Sequence, residues 1–322
     1  MARALAFRLI PVALPASPPP RGLLAHDGAP VQPHDLWGAW SLEPGVLLAL
    51  ALAAGCYVRG TRALWRRAGV GRGVRLWQAT SFAGGMAALA LALVTPLHAL
   101  GEALFAAHMV QHLLLVLIVA PLLALSAPVP AALWALPSRA RRALARRWRC
   151  AHRLRAAGRA LTHPLAAWIL ATVTLWAWHL PRAYDAAVRH DAIHSLEHAS
   201  FLASALLFWW ALVRPAGTFR RARGAALLYL FAAGVQGTML GALLALASRP
   251  WYAAHLTTTR PWGLSPLEDQ HLGGAIMWMP AGVIYLVALA GALAAWLRDA
   301  EREVERRERL RSGAGRTELP TG

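Results

Sequence analysis

The chain contains no lysine and no asparagine, and all 33 of its basic residues are arginine. That pattern reads as compositional bias in the genome and not as a need of this protein. Charge is scarce: 15% of the 322 residues are charged, against 57% hydrophobic. The apolar residues fall in long blocks, not in the amphipathic alternation of a soluble domain. Cysteine is scarcer still. Cys56 and Cys150 lie far apart with no CxxC, so neither a disulfide framework nor a thiolate metal site is implied. Acidic residues number only 15, leaving a net charge of +18. The excess arginines sit in loops between apolar blocks, which argues for membrane orientation and against a nucleic-acid partner.

Residues 1–43 are rich in proline and read as a flexible leader carrying His26 and His34. Seven apolar blocks follow, at about 44–58, 76–98, 103–125, 164–181, 193–213, 224–247 and 270–297. The expected fold is therefore all-α: a polytopic seven-transmembrane helix bundle over 44–297, with a charged tail over 298–322. The loops after the first, third and fifth blocks are rich in arginine. The loop at 139–159 alone holds nine, and Arg214, Arg220, Arg221 and Arg223 follow the fifth block. The alternate loops hold Glu102, Asp185, Asp191, Glu268 and Asp269 instead. The positive-inside rule then places the N-terminus outside and the C-terminus in the cytoplasm. The mixed charges of Arg298–Arg311 stand at helical spacing, so the tail should continue the last helix.

On that topology, eleven of the thirteen histidines lie outside or near the outer membrane face; only His152 and His163 do not. His108 and His112 open the third block, and their four-residue spacing puts both rings on one helix face, about 40° apart. His194-Ser195-Leu196-Glu197-His198 repeats the pairing at the start of the fifth block and adds a carboxylate. Two such pairs on facing helices can surround a copper or zinc ion, because neutral imidazole is the commonest ligand for either. Glu197 reads as a ligand, or as an acceptor that orients an imidazole. His98, at the end of the second block, His179, closing the fourth, and His271, opening the seventh, are further candidates. For His98 and His179, each taken alone, an interfacial hydrogen bond is the favoured role. Met277 and Met279 carry thioethers that suit Cu(I), though methionine in an apolar helix is usually packing.

The motifs form a recognisable set. H-M-x-Q-H at 108–112, Pro121 and Pro128, W-H-x-P at 178–181, H-x-x-E-H at 194–198 and D-Q-x-x-G-G-x-x-M-W at 269–278 resemble the CtaG family of cytochrome c oxidase assembly proteins, in the multi-span form associated with caa-type oxidases. The resemblance covers roughly residues 75–295. It implies a bacterial plasma-membrane protein that matures a haem–copper oxidase, with oxidase subunits as partners and copper handled on the outer side. It carries histidine positions onto His108, His112, His179, His194 and His198, with a weaker claim for His271. Two other functions stay open on the residues alone. Facing histidine pairs can ligate haem in a membrane redox protein, although no counterpart pair stands near the inner face. H-x-x-E-H is also the inverted zinc-peptidase motif, with Glu197 as general base.

Overall fold

The computed structural model describes residues 30–213 and 223–314. His26, Arg214, Arg220, Arg221 and most of the leader therefore lie outside the described residues. In chain order the helices are α1 (Pro44–Ala68), α2 (Leu76–Leu93), α3 (Leu97–Ala103), α4 (Phe105–Leu113), α5 (Ala120–Leu125), α6 (Pro128–Ala135), α7 (Ser138–Cys150), α8 (His152–Leu161), α9 (Pro164–Trp178), α10 (Pro181–Arg189), α11 (Asp191–Val213), α12 (Arg223–Ala245) and α13 (Pro266–Ala314). There is no strand among the described residues.

Six helical stretches are long and apolar enough to cross a membrane: α1, α2, the run Phe105–Leu125, α11, α12 and α13. Helices satisfy their own backbone groups, which is what a chain in hydrocarbon requires. Leu48, Leu52, Leu228, Phe231, Leu286 and Val287 point outward and exposed, as lipid-facing side chains do. The expected fourth span is different. α9 has 15 residues, about 22 Å against a hydrocarbon core of about 30 Å. It reaches spanning length only together with α8, from which it is bent by 64°. The bend falls at His163, which precedes Pro164 and takes an extended conformation, because a following proline disfavours the helical region.

Other boundaries moved for equally local reasons. The first block ended at residue 58 on the sequence because arginines begin there, yet α1 continues to Ala68. Its last turns bury Tyr57, Gly60, Thr61 and Leu64 while the arginines reach outward. Gly60 is packed so closely on the Ala131 carbonyl of α6 that no Cβ fits. The second block breaks at Thr95-Pro96, so His98 belongs to the short helix α3 and not to the end of a span. Within the third span, Leu114–Val119 is π-helical and connects α4 to α5. Pro121 follows at once; its missing N–H and its clash with the preceding turn loosen the helical ladder there. The Trp209 indole N–H donates to the Val116 carbonyl at 2.8 Å, engaging the widened turn.

α12 and α13 form the most extensive helix pair. Gly241 and Gly274 face each other across it, each so close to the other's backbone that a Cβ would force the helices apart. α13 also packs on α4, where the Phe105 ring occupies the space a Gly273 side chain would need. α11 packs against α9, α5 and the π-helical turn. These contacts bring the N-terminal ends of α4, α11 and α13 together at one end of the bundle. The tail continues α13 as a helix to Ala314, with Arg306 and Arg307 both donating to Glu303.

Candidate metal centre

The start of α4 is fixed from a distance. Its N-cap, Leu104, has no side chain that can accept a hydrogen bond. Asp269 of α13 does so instead, accepting the N–H groups of Phe105 at 2.7 Å and Ala106 at 3.0 Å. A buried carboxylate at a helix N-terminus gains from both the exposed N–H groups and the helix dipole. This contact sets the axial position of His108, one turn further on.

His108 and His112 stand one above the other on α4, with ring centroids 4.3 Å apart. His194 and His198 do the same on α11, with centroids 4.2 Å apart and Nε2 atoms separated by 3.1 Å. The two faces meet. His108 stacks on His194 at 5.1 Å, and His112 lies edge-on to His198 at 5.4 Å. Glu197, fully buried, sits between them: its Oε2 is 3.2 Å from His108 Nε2 and its Oε1 is 3.6 Å from His112 Nε2. Donor atoms of His108, His112, Glu197 and His198 all lie within 4.8 Å of one another. A second set, from His98, His194 and His198, meets the same condition.

A metal fits this donor set. Buried polar atoms are nearly always paired. Here His108 Nδ1, both ring nitrogens of His112 and Glu197 Oε1 are buried without a hydrogen-bond partner. Ligand bonds of 2.0–2.2 Å place opposite nitrogen and oxygen donors about 4 Å apart on one ion, close to the spacing of these atoms. Three imidazoles and a carboxylate form a set that copper or zinc accepts.

The remaining candidates divide. His98 stacks on His194 at 5.1 Å and belongs to the second set. His179 caps α9; its Nδ1 donates to the Leu175 carbonyl at 2.7 Å and its Nε2 lies 3.4 Å from Met109 Sδ. It lines a small pocket of about 90 Å³ beside His112 but belongs to neither donor set. His271 stands apart, with Nε2 2.8 Å from the Ala247 carbonyl. Met277 is buried in the packing around Phe105 and Met109, whereas Met279 is 63% exposed.

Four residues around the cluster are not among the site candidates of the sequence, although it places Asp185 and His255 on the same face. Gln111 is fully buried; its amide N–H donates to the Ala92 carbonyl at 2.7 Å and stands 3.3 Å from His98 Nδ1. It ties α3 to α4, and Gly101 leaves the room that its side chain fills. The only signal was its place inside H-M-x-Q-H. Tyr184 and His255 form a buried pair behind His108, joined at 2.8 Å, and Asp185 holds the loop carrying His255 by accepting the Ala253 and Ala254 N–H groups. Burial, reinforced by His108, pushes the His255 imidazolium down to about 3. Burial pushes the Tyr184 phenol well up. The pair is thus a neutral phenol bonded to a neutral imidazole.

Fold and site together define a polytopic helical membrane protein with a buried histidine–carboxylate cluster at one end of its bundle. The chain belongs to the cytochrome c oxidase caa3 assembly factor family (CtaG), which matches residues 55–299. It is also 29% identical over 269 residues to uncharacterized proteins of Mycobacterium bovis and Mycobacterium tuberculosis, and 28% identical over 213 residues to one of Mycobacterium leprae. These alignments cover 82%, 82% and 65% of this chain. They cover 40%, 40% and 32% of the relatives, so the chain spans well under half their length. No solved structure matches it.

Proposed function

We propose that this protein matures a haem–copper cytochrome c oxidase in a bacterial plasma membrane by binding copper at the cluster of His108, His112, Glu197 and His198 and delivering it to an oxidase subunit. The observation that carries this reading is the convergence of two i, i+4 histidine pairs from different helices on one buried carboxylate. Leaving His108 Nδ1, both His112 ring nitrogens and Glu197 Oε1 buried without hydrogen-bond partners is costly, and a shared cation offsets that cost. Glu197 supplies one negative charge to balance the ion. The arginine distribution, read by the positive-inside rule, supports an outer-face site, where copper for an oxidase would be handled.

Metal analysis with an absorption spectrum of the purified chain tests the reading. The expected result is copper retained by the wild type, no Soret band, and loss of copper and of oxidase maturation in His108→Ala or His198→Ala with membrane insertion intact. Met279→Leu, at an exposed position, should do much less. A Soret band, or full copper retention in both histidine variants, would overturn it.

A further inference from the structure

The two donor sets share a residue. His198 belongs both to the set with His108, His112 and Glu197 and to the set with His98 and His194. A neutral imidazole has one lone pair to give, because its other nitrogen carries the hydrogen. A neutral His198 therefore serves one ion at a time. We propose that the centre holds a single ion in two overlapping positions, an enclosed one and a groove-facing one at His98, His194 and His198, with His198 as the common ligand through which the ion passes.

The surroundings of the two positions differ in the way a relay needs. A lateral groove of about 1040 Å³ runs along α11, lined from Asp191 at its first residue to Trp210 in its last turn. His98, His194 and His198 line this groove; His108, His112 and Glu197 do not. His108 and Glu197 are fully buried. An ion at the groove-facing set is thus next to open space, while the enclosed set meets the large groove only at His198 and otherwise borders the small pocket of about 90 Å³ lined by His112 and His179. Donor chemistry grades the two as well. The enclosed set has four donors with a carboxylate, the groove-facing set three neutral imidazoles, so the charge of a cation is better balanced inside. At the histidine end the groove is lined by Glu43, Glu102 and Asp191, whose carboxylates favour the approach of a cation. Below the histidines its walls are apolar, among them Leu89, Leu115 and Leu202. The cation path therefore leads to the acidic end and not down the groove.

This inference rests on the copper reading above, and the test separates the two. The full chain in lipid nanodiscs is loaded with Cu(II), the ions per chain are counted by metal analysis and spin integration, and the bound ion is chased with EDTA. The wild type should hold one copper per chain with no spin coupling. His98→Gln should keep that one copper but release it at least ten-fold more slowly, because the outward position is lost. His112→Gln should shift the Cu(II) spectrum and release its copper faster. Ala199→Trp, which fills the groove beside His198 at a position that is not itself a ligand, should slow release at unchanged load, and it keeps the test decisive if His98→Gln does not fold. Two coppers per chain, or one copper released at the wild-type rate by both His98→Gln and Ala199→Trp, would overturn the relay and leave the copper reading standing. A wild type that retains no copper would overturn both.

Discussion

Glu197 and His255 show how burial assigns different roles to two ionisable side chains that both act with His108. Glu197 lies within reach of the His108 and His112 imidazoles. In the proposed function its carboxylate is the counter-charge of the bound cation. Glu197→Gln keeps the shape and removes the charge, and should weaken copper binding by about 10–100-fold while the thermal midpoint of the metal-free protein changes little. A competition titration beside a melting curve separates the two effects, and unchanged affinity would remove Glu197 from the site. His255 works as a neutral group. Its Nε2 accepts the Tyr184 O–H, and its imidazolium is pushed down to about 3 from an ordinary value near 6.5. Between those values the unfolded chain binds the proton and the folded chain does not, so the contribution of His255 to stability is present above about pH 6.5 and is lost progressively as pH falls toward 3. Hydrogen-exchange protection factors in 253–259, taken relative to the intrinsic rate at each pH, should fall on acidification through that window, and His255→Gln should flatten the dependence. The i, i+4 spacing made the histidine faces legible in the sequence. Gln111 and Tyr184 were not legible, because a buried glutamine or tyrosine carries no local mark of the partner that will satisfy it.

Among the elements, α4 depends most on its neighbours. Its first N–H groups are satisfied by Asp269, 164 residues away in sequence from Phe105, and its C-terminal end passes into the π-helical turn. Asp269→Ala should lower stability by about 3 kcal/mol, since two hydrogen bonds to a buried carboxylate are lost. It should also weaken copper binding, because His108 and His112 are carried by the freed end. Asp269→Asn keeps one acceptor and should lose less on both counts. Melting followed by tryptophan fluorescence, with copper titration alongside, measures both. If copper affinity is unaffected while stability falls, the cap does not position the histidines. The existence of the apolar helices was readable from block length and composition, but three of their limits were not. Thr95-Pro96 splits His98 from α2, His163-Pro164 turns α9 away from α8, and the buried inner face of α1 extends it through four arginines. Each depends on a proline effect or a tertiary contact that acts inside an otherwise uniform apolar or basic run.

For the whole molecule the governing asymmetry is charge. The arginine-rich helices α7 and α8 expose Arg142, Arg146, Arg149 and Arg153 and bury no residue. At the other end of the bundle, Asp185, Asp269, Glu197 and the clustered histidines His98, His108, His112, His194 and His198 are held among helix termini and the loop that covers them. An oxidase-directed copper site must stand on one defined side of the membrane, so side and function are a single question. On the proposed orientation the arginine-rich end is cytoplasmic, because translocating clustered arginines is opposed while acidic loops cross with little penalty. The short helix α9 makes this test sharper. If α8 and α9 together cross the membrane, the loops at Arg146 and Asp185 lie on opposite sides; if α9 only enters and returns, they lie on the same side. Alkaline phosphatase fused at Asp185 should be active and at Arg146 inactive, with a further fusion at Arg249 active because α12 is a full-length span. Activity at Arg146 with silence at Asp185 and Arg249 would invert the topology and remove the outer-face copper site with it. Matching results at Arg146 and Asp185 would instead show that α8 and α9 do not span, and leave six crossings.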